Sequence, residues 1–362
     1  MTRQQLDVGV LGATGMVGQR FVSLLATHPW FRVAAVAASA NSAGKTYAEA
    51  VAGRWTLPTP APPAVARLTV GNASEVERVA AGVDFVFCAV DMPTDATARL
   101  EDAYARTETP VVSNNSAHRW TPDVPMMIPE INADHAAVIE AQRRRLGTRR
   151  GFVTVKPNCS IQSYVPPLHA LRAFRPSKVA VCTYQAISGA GKTFESWPEM
   201  VDNVIPFIKG EEEKSEREPL KIWGTLRGGA IEPASAPVIT AQCIRVPVSD
   251  GHLAAVFVAF ERRPSRDAVL AAWRECAGRP QELALPSAPR PFLRYVEEDA
   301  RPQTRLDRDA GNGQAVTIGR LRPDAVFDWR FVALSHNTVR GAAGGAVLTA
   351  ELLVADGFLT RK

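Results

Sequence analysis

"LDVGVLGATGMVGQRF", residues 6–21, decides the fold of this chain. An apolar run of strand length, Leu6 to Leu11, breaks at Gly12, and glycine returns at Gly15 and Gly18. Beyond the break, "MVGQRFVSLLATH" places Val17, Phe21, Leu24 and Leu25 near the helical period, so the segment reads as strand, tight turn and helix. Glycines in that setting permit a sharp turn, close approach of backbone to a pyrophosphate and close packing of helix on strand, while the helix N-terminus favours an anion. The spacing is GxxGxxG, a variant of the usual pattern, and alone it also suits an ordinary glycine turn. Between a strand and a helix it points to a dinucleotide, with Gly12, Thr14, Gly15, Met16 and Val17 as candidate contacts.

Outward from this unit the same alternation continues. "FRVAAVAAS", "VDFVFCAV" and "TPVVSN" are continuous apolar runs, as parallel strands covered on both faces require, and "ASEVERVAAG" and "DATARLEDAYART" between them are helical. Residues 1–157 are therefore expected to form a Rossmann nucleotide-binding domain. After the second strand, "AVAASANSAGKTY" offers Ser39, Asn41, Ser42 and Lys45 and no carboxylate before Glu49. Hydroxyls, an amide and a cation satisfy a 2′-phosphate that an aspartate would repel, so NADP is preferred to NAD.

The chain has 362 residues, 46% hydrophobic and 22% charged, which suffices for a sizeable core and by length for two domains. Its net charge of +5 comes from scattered arginines, apart from "RRRLGTRR" at 143–150, which reads as a solvated helix end and not as a nucleic-acid patch. Anionic small molecules suit the mild excess. No apolar stretch reaches the roughly 18 residues of a membrane span, and the N-terminus enters a strand without a signal-peptide pattern, so a cytoplasmic protein is expected. Five cysteines without a CxxC pair fit neither a disulfide framework nor a zinc site, and no metal is expected.

From about residue 177 the texture becomes β-rich: "KVAVCTYQAIS", "QCIRVPV" and "HLAAVFVAF" suggest a mixed or antiparallel sheet in an α+β domain, residues 158–340. "GEEEKSEREPLKIWGTL" is charged and helical, and a last glycine-rich helix, 341–362, is expected to return to the first domain. At the junction, "KPNCS" turns from a strand into a helical pattern, which puts Cys159 in a first helical turn, where N–H groups and the dipole favour thiolate. Cys88, Cys182 and Cys243 lie inside strand-like runs and Cys276 on a helix, positions where a thiol is usually a small hydrophobe. "IRVPVSDGHLAAVF" supplies Arg245, able to grip a carboxylate, and His252, able to exchange a proton near neutrality. His28, His118, His135, His169 and His336 read as structural.

Taken in order, "GATGMVGQRF", "AASANSAGKTY", "MIPEINADH", "PNCS", "TYQAISGAGKTF", "RVPVSDGH" and "SHNTVRGAAGGAVLTAELL" resemble the aspartate-semialdehyde dehydrogenase family, in the branch found in archaea and fungi. The resemblance covers nearly the whole chain. It implies that Cys159 attacks the aldehyde carbon of aspartate 4-semialdehyde, that NADP⁺ takes the hydride, and that inorganic phosphate cleaves the thioester to give 4-phospho-L-aspartate. It further implies His252 as general acid/base, Gln185 as orienting group, Arg245 on the substrate α-carboxylate and Glu211 on its amine. Lys214, Arg119 and Asn114 would hold phosphate, and Ser188, Gly189, Gly191 and Asn337 would border the cofactor. Family members are homodimers or homotetramers. Two departures stand out: the branch usually has arginine where Asn41 stands, and small residues where Ile161, Gln162, Ser163 and Tyr164 follow the cysteine. Malonyl-CoA reductase, a relative with the same nucleophile, histidine and arginine, is the alternative enzyme, and an idle cofactor-binding redox sensor the alternative of another class.

Overall fold

The computed structural model describes residues 5–362. Strands β1 (Leu6–Leu11), β2 (Phe31–Ala38), β3 (Gly71–Asn72), β4 (Phe85–Cys88), β5 (Val111–Ser113) and β6 (Val153–Val155) form a parallel sheet in the order β3-β2-β1-β4-β5-β6. All four residues of β4 are buried, which explains an apolar run without alternation. One face is covered by the first helix, Met16–Leu25, and the last, Gly344–Ala355, whose apolar residues share a core with Phe21, Phe31 and Phe87. Thr94–Arg106 covers the other through Leu100 and Tyr104. Gly344 to Val354 are all buried, so the last helix is covered on every side, and its one carboxylate, Glu351, pairs with His28 Nε2 at 2.8 Å. The strand order reverses beside β1, and in such sheets the crevice outside the carboxyl ends of β1 and β4 is where ligands bind.

The second sheet is mixed. Strand β7 (Pro176–Gln185) is followed by a small hairpin of β8 (Thr225–Arg227) and β9 (Ala230–Glu232). Then come β10 (Val238–Arg245), β11 (His252–Phe260), β12 (Leu293–Val296), β13 (Val316–Pro323) and β14 (Trp329–Ser335), and the sheet order is β10-β7-β11-β14-β13-β12. β10 pairs parallel with β7, β11 antiparallel with β7 and β14. Along β11 buried and half-buried residues alternate strictly. The buried face packs on Val269 and Trp273 of the helix Arg266–Glu275. β13 and β14 have no counterpart in the sequence reading: the β13 ladder is interrupted between Gly319 and Arg322, where Arg320 takes φ +59°, and this interruption hides the period.

The arginine run ends the helix Ile139–Leu146, closed by Gly147 at φ +72°. Arg145 pairs with Asp123 at 2.5 Å and Arg143 with Glu140 at 2.7 Å. Among the described residues no helix is long and apolar enough to cross a membrane.

Candidate active site

Sheet topology assembles one half of the site. Because β10 runs parallel to β7 in register, Arg245 lies opposite Gln185, and the antiparallel β11 begins at His252 beside them. Three neighbouring strands thus bring Arg245, Gln185 and His252 to one sheet end, all on the buried face.

Cys159 approaches from the other domain, just beyond β6. Asn158 shapes its turn: Oδ1 accepts the Ser160 N–H at 2.8 Å, and Nδ2 donates to both Glu211 carboxylate oxygens at 3.0 Å. The Cys159 sulfur then lies 3.4 Å from His252 Nε2. Against its back packs the glycine-rich segment preceding the last helix. A Cβ on Gly341 would sit 2.9 Å from Cys159 Cβ, and one on Gly345 would sit 3.1 Å from Lys156 Cε. Ile161, Gln162, Ser163 and Tyr164 are buried in the core; Gln162 accepts from Arg340 and the Tyr164 hydroxyl donates to Ser215 O, so their bulk does not reshape the site.

The electrostatics differ from the sequence expectation at Cys159. Only a three-residue 3-10 turn, Ser160–Gln162, follows it, and burial, reinforced by Glu211, pushes the thiol up; Lys156, Arg119 and Arg245 oppose this. The resting group is therefore a thiol, because desolvation and the carboxylate outweigh the cations and the short turn. Burial, with Arg245 nearby, pushes His252 down to about 3, so the ring is neutral. Its Nδ1 accepts the Ala186 N–H at 3.0 Å, which assigns the ring proton to Nε2, facing sulfur. His252 therefore meets Cys159 as a donor.

The remaining candidates divide into free and committed groups. Arg245 is 6% exposed and donates from Nη1 to Ala186 O at 2.7 Å; among the described residues it has no carboxylate partner. Arg119 is as deeply buried but tied to Glu218 at 2.9 Å and, through Nε, to Lys156 O at 3.0 Å. It is thus a bracket for the cysteine segment, and phosphate would have to compete with Glu218. Asn114 lies on the same bracket, its carbonyl 3.5 Å from Arg119 Nη2. Lys214 pairs with Glu211 at 2.9 Å and stays one-third exposed, and Glu211 also accepts from Gln185 Nε2 at 3.3 Å.

On the first domain a cavity of about 490 Å³ is lined by Gly12, Thr14, Gly15, Ser39, Ala40, Arg54 and the segment after β4. Gly12 has φ +76°, and a Cβ there would lie 2.2 Å from Ala89 O; a Cβ on Gly18 would lie 2.2 Å from Gly12 O. The turn can be built only of glycine at these points, and it opens into the cavity as a dinucleotide requires. A second cavity, about 160 Å³, continues from Met16 and Arg20 to Ile187 and Ser188. Asn337 joins this loop to the histidine, donating to Ser188 Oγ and accepting from Gly251 N–H, both at 2.8 Å. A Cβ on Gly189 would lie 3.0 Å from His252 Nε2, so the loop borders both the cavity and the reactive pair. Gly191, at φ +68°, closes the turn in the open. Val17 packs on the first-domain core, and Asn41, Ser42 and Lys45 do not line the cavity.

A family model described as "Semialdehyde dehydrogenase, NAD binding domain" matches residues 7–139, and one described as "Semialdehyde dehydrogenase, dimerisation domain" matches residues 165–340. An aspartate-semialdehyde dehydrogenase of Archaeoglobus fulgidus is 43% identical over 97% of this chain and 98% of its own length. The chain belongs to the aspartate-semialdehyde dehydrogenase family. The crystal structure of the Candida albicans family member with NADP superposes with a TM-score of 0.88 at 36% identity, covering 98% of this chain and 100% of that one. A malonyl-CoA reductase (NADP) of Metallosphaera sedula is 36% identical over 99% of this chain and 100% of its own length.

Several residues around the site escaped the sequence reading. Lys156 is 2% exposed, donates to Pro157 O at 2.8 Å and is pushed down to about 7 by burial. Glu218 also accepts the Asn158 N–H, at 2.6 Å. Arg54 lines the cofactor-side cavity. A lysine immediately before the proline-asparagine-cysteine turn carries a weak local signal; Glu218 carries none, since Arg119 and Asn158 are far away in sequence.

Proposed function

We propose that this chain catalyses the reversible NADP-dependent conversion of L-aspartate 4-semialdehyde and inorganic phosphate into 4-phospho-L-aspartate, through a thioester on Cys159. The observation that carries the reading is the Cys159–His252 contact of 3.4 Å beside a loop whose Ile187 and Ser188 line a cavity shared with Met16 and Arg20 of the helix that follows the glycine turn. Arg245, buried and without a carboxylate partner among the described residues, takes the substrate α-carboxylate, since a buried guanidinium is stable only when paired. Glu211, with Gln185 at its side, takes the amine.

Addition of the thiol to the aldehyde carbon gives a thiohemiacetal whose oxygen receives a hydrogen bond from His252 Nε2–H. Bound NADP⁺ supplies the hydride acceptor. Transfer of the hydride to the dinucleotide and of the hydroxyl proton to solvent water leaves a thioester, which remains reactive enough to acylate phosphate. As the phosphate oxygen bonds to carbon and the C–S bond breaks, sulfur leaves as a thiolate that accepts the same Nε2–H and then regains a proton from solvent. Lys214, at the mouth, offers charge to the incoming phosphate; Arg119 acts by holding the cysteine segment.

The same reading puts the reaction in the synthesis of aspartate-derived amino acids (lysine, threonine, methionine), in the cytoplasm. It also makes the protein a homodimer, in which the half-buried face of β7 and β11, with Cys182, Tyr184, Ala255 and Phe257, meets its copy; a homotetramer would pair two such dimers. Wild type and Cys159→Ser, assayed with aspartate semialdehyde, phosphate and NADP⁺ and separately with malonyl-CoA and NADPH, test the proposal. Phosphate-dependent NADPH formation by the wild type alone is expected. NADPH oxidation by malonyl-CoA without the semialdehyde reaction would transfer the chain to the second reading.

A further inference from the structure

One guanidinium on the wall of the glycine-turn cavity has no part in the chemistry above. Arg54 follows the short helix Tyr47–Val51 and lines the cavity together with Ser39 and Ala40, the residues that leave β2. Its backbone is fixed to the first helix: Gln19 Nε2 donates to Arg54 O at 2.8 Å, and Gln19 Oε1 accepts the Thr56 N–H at 2.9 Å. Gln19 also reaches Thr14 O at 3.1 Å, so one side chain ties Arg54 to the glycine turn itself. The Arg54 side chain donates from Nη2 to Ala50 O at 2.5 Å, which orients the fork and leaves Nη1 and Nε without an acceptor among the described residues; no carboxylate pairs with it there.

The other basic candidate is placed differently. Lys45 acts on Glu49, and its neighbours Ala43 and Gly44 line a separate cavity of about 390 Å³ with Leu68, Thr69 and Val70. Asn41 carries no charge. Asp91, the carboxylate lining the glycine-turn cavity, follows β4, and β1 separates that strand from β2 in the sheet. In this fold the end of the second strand faces the adenosine ribose, where an acid would select NAD and an arginine the 2′-phosphate.

We propose that Arg54 is the cation that recognises the 2′-phosphate of NADP and that it sets the preference for NADP over NAD. This rests on the NADP-dependent reading given above. Its test is direct binding, by titration calorimetry, of 2′,5′-ADP against 5′-AMP and of NADPH against NADH. The proteins are wild type, Arg54→Gln, Arg54→Lys and Lys45→Gln. A charge-assisted bond to phosphate corresponds to about tenfold or more in affinity. Arg54→Gln is expected to lose that factor for 2′,5′-ADP and NADPH while keeping 5′-AMP and NADH within about twofold, which also certifies its fold. Arg54→Lys should recover part of the preference and Lys45→Gln should keep it. An Arg54→Gln protein with the wild-type preference overturns the assignment, as does equal weakening of all four ligands, the mark of a pyrophosphate contact. A wild type that binds 2′,5′-ADP no better than 5′-AMP overturns the NADP reading along with it.

Discussion

His252 turns its proton-bearing nitrogen to Cys159: Nε2 lies 3.4 Å from Sγ, while Nδ1 is occupied by the Ala186 N–H at 3.0 Å. A ring held in this way is an electrophilic donor to sulfur and to the oxygen formed beside it. Substitution by Gln, which can present a donor near the Nε2 position, should therefore retain more activity than Ala. Loss of a single such donor costs about 10²–10³ in rate. If His252→Gln and His252→Ala are equally impaired, the donor role is wrong.

The pH profile should carry the same signature. With His252 pushed down to about 3, the ring stays neutral across the working range, so kcat/KM should have no acid limb near the ordinary histidine value. Cys159 is pushed upward by burial and by Glu211, and its thiolate fraction should keep growing beyond the ordinary thiol range. Iodoacetamide labelling of Cys159, followed by mass spectrometry from pH 5 to pH 10, measures this curve. A plateau reached by pH 7 would contradict it.

Lys156 should move that curve. Its buried charge favours the Cys159 thiolate, and because its own value is about 7, the help is present below that pH and fades above it. At pH 6 Lys156→Met should slow labelling by about tenfold, one unit of thiol pKa, and at pH 9 the two proteins should converge. Glu211→Gln should shift labelling the opposite way, since it removes the negative charge that holds the thiol up.

Glu218 ties the segment together through Arg119 at 2.9 Å and the Asn158 N–H at 2.6 Å. Removing one member of a buried pair leaves an uncompensated charge and costs about 3–5 kcal/mol. Glu218→Ala should lower the urea midpoint accordingly, whereas Glu213→Ala, exposed on the same helix, Glu211–Ile222, should cost well under half of that. Equal midpoints for the two variants would remove Glu218 from the structural role argued for it.

The difference between what could and could not be read in advance has a physical pattern. β1, its glycine turn and the first helix were legible because each is a local pattern of fixed period, and Gly12 and Gly18 tolerate no Cβ. Arg245 and His252 were legible as a pair because a short turn joins β10 to β11. The ion pair of Arg119 with Glu218 was not legible, because the two residues, 99 positions apart, meet only through the fold. The thiolate expected at Cys159 failed for a similar reason: a helix start is a local feature, but the burial and the Glu211 carboxylate that oppose it are tertiary.

A buried acid in the first domain makes stability depend on pH. Glu101 accepts the Ser113 hydroxyl at 2.5 Å and is pushed up to about 7 by burial. Between its unfolded value, near 4.5, and about 7, the folded state holds a proton that the unfolded chain has lost, so stability falls as pH rises through that window. The loss is on the order of 3 kcal/mol. Glu101→Gln, which keeps an acceptor for Ser113, should flatten this part of the curve in urea denaturation at pH 5 and pH 8. An unchanged difference between the two pH values would mean that Glu101 is ionised in the folded protein.

Close packing at the back of the nucleophile gives the sharpest steric prediction. A methyl group on Gly341 would lie 2.9 Å from Cys159 Cβ and 3.4 Å from its Cα, and the glycine amide is held by His336 O at 2.8 Å, so the cysteine must move. Overpacking of this kind costs about 1–3 kcal/mol, and a displacement approaching 1 Å at a reacting atom costs about 10² in rate. Gly341→Ala should therefore lose activity out of proportion to its modest fall in urea midpoint. Gly82→Ala, where the added carbon meets nothing within 4 Å, should leave both unchanged. Full activity in Gly341→Ala would show that the Cys159 turn yields without penalty, and the rigid backing argued for the sulfur would have to be abandoned.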